Sequence, residues 1–135
     1  MAKTAKQVQS DIITLLRDSP LAEDVSGKIY RNGYRPRDSR AEDIIVTFTA
    51  GIPDQIQTGV VTVNIFVPDI DPYDNGVLVE DGARAEELEI LAQQWFENLS
   101  GTNYLFELQQ TIHTTAEPDI NQHFVVVRLR YRLFE

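Results

Sequence analysis

The chain has 135 residues, of which 42% are hydrophobic and 24% charged, with no cysteine and a formal net charge of −9. That length suits a single domain over residues 1–135 whose core needs no covalent staple. The missing cysteines exclude disulfides, thiolate metal sites and a cysteine nucleophile, and the acidity disfavours general nucleic-acid binding, because phosphate backbones are repelled.

Val8, Ile12, Leu15 and Leu16 recur at helical spacing and predict an amphipathic first helix. Ser19-Pro20 stops it, since the residue before proline is pushed out of the helical region. Residues 20–27 read as a connector, and Lys28 to Tyr30 as a short strand. Asn32-Gly33 is a turn signal. Alternation predicts strands through Ile44, Val46 and Phe48 and through Val61, Val63, Ile65 and Val67, the second ended by Pro68. Residues 68–80, PDIDPYDNGVLVE, read as a long irregular link.

Leu88, Leu91, Trp95 and Leu99, widened by Ala92 and Phe96, predict a second helix with Gly101 placed as its C-cap. A strand is expected over Tyr104 to Ile112, then a turning link containing Pro118 and Asn121. The last strand, Phe124 to Phe134, alternates most cleanly. Val127, Leu129, Tyr131 and Leu133 take one face and Arg128, Arg130 and Arg132 the other. The order α-(β)-β-β-α-β-β predicts an α+β fold, a mostly antiparallel sheet of four to five strands with two helices packed on one face. Three arginines on one strand face repel one another unless something negative lies across from them, either Glu107 or a second subunit.

Motifs that carry chemistry are missing. There is no G-x-S-x-G elbow, G-x-G-x-x-G or P-loop. Asp69 to Glu80 has the length of an EF-hand loop and acids at its positions 1, 3 and 12, but Pro72, Tyr73 and Asp74 break the pattern. His113 and His123 are the only histidines; they face each other if the last two strands form a hairpin, but no cluster supplies further metal ligands. The expectation is no catalytic residue, no cofactor and no metal. The alternative is a small α+β enzyme or ligand-binding domain using a carboxylate with His113 or His123.

Charge is distributed unevenly. Lys28, Arg31, Arg35, Arg37 and Arg40 crowd around RNGYRPRDSRAED with Asp38 the only acid among them, whereas Arg84 is the only base from Ala41 to Val127. Between Asp69 and Glu97 lie nine acids: Asp69, Asp71, Asp74, Glu80, Asp81, Glu86, Glu87, Glu89 and Glu97. A mobile basic loop and a separate acidic surface attract between copies. Two different complementary surfaces give head-to-tail contacts, which generate a ring when the rotation closes. The expected contact residues are Arg31, Arg35, Arg37 and Arg40, with Asp69, Asp71, Asp74, Glu86 and Glu87 as acceptors. Arg128, Arg130 and Arg132 are expected to face a lumen or a partner.

In length and element order the chain resembles the tail-terminator (tail-completion) proteins of long-tailed bacteriophages, and RPRDSRAEDIIV followed by QTGVVTVNIFVPDI resembles small proteins of prophage-like regions. The resemblance covers residues 5–134 as element order and carries no short motif. It implies a non-enzymatic structural subunit in a ring, commonly a hexamer, at the end of the tail tube or the head–tail junction. Its partners would be other copies of itself and other tail or connector proteins, without specific nucleic-acid binding. MAKTAKQVQS has no apolar signal core, and no apolar run approaches the roughly 18 residues of a membrane helix. The expected setting is therefore soluble and intracellular, in a host cytoplasm during assembly and then in a virion tail.

Overall fold

A six-stranded sheet organises the chain in the computed structural model, which describes residues 2–134. Helix α1 (Ala5–Arg17) opens with a capping box: Thr4 Oγ1 accepts from the Gln7 N–H while the Gln7 side chain accepts from the Thr4 N–H. Val8, Ile12 and Leu16 are buried along one face of it. Ser19 then caps a short second helix, α2 (Pro20–Asp24), by accepting from the Ala22 N–H, with Pro20 in its first turn. The first five residues of the expected connector 20–27 are thus helical. The dipeptide that stops one helix starts the next.

The strands are β1 (Ile29–Arg31), β2 (Ile44–Ile52), β3 (Gln57–Pro68), β4 (Tyr104–Leu108), β5 (His113–Glu117) and β6 (Gln122–Leu133), with α3 (Gly82–Glu97) between β3 and β4. They lie in the order β1-β2-β3-β6-β4, and β5 occupies the same edge of β6 as β4. β1 runs parallel to β2; every other pair is antiparallel. The fold is α+β as expected, with six strands rather than four to five. The strand expected to reach Ile112 ends at Leu108, residues 109–112 bulge from the edge, and the residues read as a turning link form β5. Asn121, at φ +54°, makes the reversal into β6.

β6 is central. Its alternation buries Val125, Val127, Leu129, Tyr131 and Leu133 against the helices. Ile44, Val46, Val61, Val63 and Ile65 share that face, as do Leu88, Ala92 and Trp95 of α3. The Trp95 indole N–H donates to the Leu15 carbonyl at 3.1 Å and ties α3 to α1. Asn98 closes α3 in place of the expected Gly101, which instead turns the following loop at φ +69°. Among the described residues no helix is long and apolar enough to cross a membrane.

Near the β2–β3 turn the Gln57 side-chain amide donates to the Tyr131 hydroxyl at 3.0 Å and exchanges hydrogen bonds with the Lys3 backbone. The Tyr131 ring reaches this position only because residue 59 has no side chain. A Cβ there would lie 2.3 Å from the Ala50 carbonyl oxygen and 2.6 Å from the ring. Gly59→Ala should therefore destabilise the fold by about 1–3 kcal/mol, the usual cost of overpacking, measured as a lower midpoint in chemical denaturation.

Candidate functional site

The loop 32–43 must carry the chain from the end of β1 back to the start of a parallel neighbour, so it crosses the sheet. It does so on the face opposite the helices and is pinned there by Arg35. The guanidinium stacks over the Phe66 ring at 4.0 Å, pairs with Asp43 at 2.8 Å and donates to Gln122 Oε1 and to the Ser39 and Ala41 carbonyls. The pair is sequestered: the side chains of Arg35 and Asp43 are 11% and 2% exposed. Burial pushes the Asp43 carboxyl up, but hydrogen bonds from the Ser39 hydroxyl, Arg35 and the Lys28 N–H together outweigh it and hold the group below the usual carboxylate range. Gly27 lets the chain pass this close, because a Cβ there would sit 2.2 Å from Asp43 Oδ1.

The remaining basic residues of the loop divide. Arg31 donates to the Ser10 hydroxyl of α1, and Arg40 to the Ile120 carbonyl at 3.3 Å. Arg37 is exposed and has no partner among the described residues. The loop is therefore not a free basic arm. Arg35 is withdrawn into the molecule, and Arg31 and Arg40 are engaged within it.

Several expected acceptors are likewise engaged. Asp69 Oδ1 lies 2.7 Å from His123 Nδ1. Asp71 accepts from the Asn75 and Gly76 N–H groups and shapes its own turn. Glu87 pairs with Arg84, which also binds Glu42 through two nitrogens and Asp24 through its side chain and carbonyl. That one cation joins α2, the loop and α3. The hydrogen bond from Arg84 is the main reason the Glu42 carboxyl is held below its usual range, with Arg84 itself pushed up. Asp74, at φ +52°, and Glu86 are exposed without a side-chain partner among the described residues.

The histidines do not meet. His113 and His123 stand opposite Val126 and Ala116, so alternation puts them on opposite faces of the hairpin. Among the described residues no three His, Cys, Asp or Glu side chains gather as a metal site. An open groove of about 600 Å³ between α1 and α3 is lined by Leu15, Leu91, Trp95 and Leu99, and among the described residues Asp18 is its only ionisable side chain.

Two surfaces stand out. The segment 69–80 is a braced arm. Ile70 and Val79 exchange both backbone hydrogen bonds, Asp71 and Asn75 hold the tip, and Tyr73, Val77 and Leu78 are exposed, Tyr73 by 75%. In the sequence the signal for these apolar residues is the run VLV among acids, not the charge pattern. The second surface is the half of the sheet that loop 32–43 leaves bare. There Arg130 and Arg132 are exposed. The Arg128 Nε and Asn64 Oδ1 atoms are enclosed without partners. Glu107 lies directly opposite Arg130 in the register, yet no ion pair joins them.

Arg35→Ala should cost about 3–5 kcal/mol of stability because it strands a buried carboxylate, whereas Arg37→Ala should leave the denaturation midpoint unchanged. The acid response has a defined sign. Asp43 and Glu42 both sit below their unfolded values, so their contribution is complete above about pH 5, starts to be lost near pH 4 where unfolded carboxyls titrate, and falls further through the folded values. Thermal melts should be level from about pH 7 to 5 and drop below pH 4; Asp43→Asn should melt lower at neutral pH and show a shallower acid limb. A scan against protein-family models finds no match, and a search of curated proteins finds no relative.

Proposed function

We propose that this chain is a non-catalytic structural subunit that assembles head to tail into a ring of the tail-completion type found in long-tailed bacteriophages, meeting tail or connector proteins at the faces of that ring. The observation that carries this reading is the arm 69–80. It holds Tyr73, Val77 and Leu78 in water on a hairpin ordered by its own hydrogen bonds. Several exposed apolar side chains on one hydrogen-bonded segment are characteristic of a contact surface between proteins. The resemblance in length and element order supplies the tail-completion setting. An arm received by a different surface of the next copy is the heterologous contact that closes into rings.

The enzymatic alternative needs an acid and a base converging in one cleft. One such pair exists, His123 with Asp69 at 2.7 Å, whereas His113 stands exposed at the sheet edge and, among the described residues, the groove between the helices offers only Asp18.

Light scattering over a range of protein concentrations should show a defined oligomer. Tyr73→Ser with Leu78→Ser should shift it toward monomer without lowering the thermal midpoint, because both side chains are exposed. Unchanged assembly in that variant would remove the arm from the contact.

A further inference from the structure

We infer that the arm 69–80 of one copy docks on the bare half of the sheet of the next, with Arg130 and Arg132 as its electrostatic receptor. The inference rests on the assembly reading and names both surfaces of its contact. It also moves the basic partner from the loop 31–43, whose Arg35 is buried in an ion pair, to the strand β6.

Three observations converge on this pairing. The first is charge. Residues 69–80 contain Asp69, Asp71, Asp74 and Glu80 and no base. On the sheet, Arg130 and Arg132 form no ion pair with any described residue, and Glu107 is the one acid in register beside them. Parallel arginines on one strand face repel unless an acidic group is supplied from outside. The second is apolar complementarity. Ile52 and Leu105 lie on the same face as the arginines, since Ile52 pairs with Thr58, Thr58 with Arg132 and Arg132 with Leu105. They are 63% and 47% exposed, a counterpart for Val77 and Leu78.

The third is placement. The arm leaves the sheet after Pro68, at the end of β3 that pairs with Gln122, whereas Arg132 stands opposite Thr58 near the other end. At about 3.3 Å per strand residue the two surfaces are roughly 30 Å apart. The loop 32–43, pinned over Phe66, also occupies the arm-proximal end of that face. The arm therefore meets a receptor on a different copy, and the contact is head to tail.

The chain has no cysteine, so an engineered pair is its only thiol chemistry. Leu78→Cys combined with Leu105→Cys should give, on mild oxidation, a ladder of disulfide-linked dimers, trimers and higher multimers on a non-reducing gel. Adding Arg130→Glu and Arg132→Glu should cut that ladder by about tenfold. Further adding Asp74→Lys and Glu80→Lys should restore it, because both charges are then exchanged. Thermal melts of each variant check that it is folded. A ladder indifferent to charge reversal overturns the docking, as does its absence from a protein that light scattering shows to be oligomeric; the assembly reading survives both results. No ladder and no oligomer at millimolar protein overturns both. Single-stranded DNA bound by the unsubstituted chain and released by Arg130→Glu with Arg132→Glu, without a ladder, assigns the face to nucleic acid and overturns the docking.

Discussion

Side chains on a strand alternate, and most of the molecule's character follows from that constraint on β6. Val125, Val127, Leu129, Tyr131 and Leu133 enter the core only if Val126, Arg128, Arg130 and Arg132 stand on the other face. The helices cover the first face. The second is shared between a crossing loop and water. Because β6 is paired along both edges, by β3 on one side and by β4 and β5 on the other, its register cannot slip without turning the arginines inward.

The loop 32–43 shows how charge can be clustered for reasons internal to a fold. A parallel β1–β2 pair without a crossover helix leaves its connection lying on the sheet, where polar backbone must find partners. Arg35 meets that need: its planar fork donates to a carboxylate, two carbonyls and an amide at once while its face rests on Phe66. Asp43 and Gln122 are buried because Arg35 satisfies them. Arg84 has the same architectural role on the helical side, where one cation gathers three acids from three elements.

Much of this fold could be read from residue patterns. The helical stripe of α1, the alternation of β2, β3 and β6 and the outward arginines all depend on local periodicity, which a single sequence displays. What escaped had non-local causes. β5 is His-Thr-Thr-Ala-Glu, too polar to read as a strand, and it is a strand because β6 offers a free edge and Thr114 finds Glu89 on α3. α2 was hidden by its proline, which terminates one helix and begins another. At the candidate contact surfaces, composition revealed the two poles of charge but not which arginines were free. That depends on Asp43, Phe66 and Gln122 arriving from three separate strands or their ends, a meeting that sequence spacing does not encode. Arg84 was visible as a solitary base; its role as a junction was not.

The bracing of the arm bears on the energetics of the proposed contact between copies. A disordered segment must be ordered at the moment of contact, at about 1–2 kcal/mol for each residue fixed, and that loss is subtracted from whatever the contact gains. Here the Ile70–Val79 bridge and the turns made by Asp71 and Asn75 hold the backbone through hydrogen bonds of its own. In the proposed contact, a segment whose backbone is held this way has less ordering left to lose when it is received than a loop without such bonds.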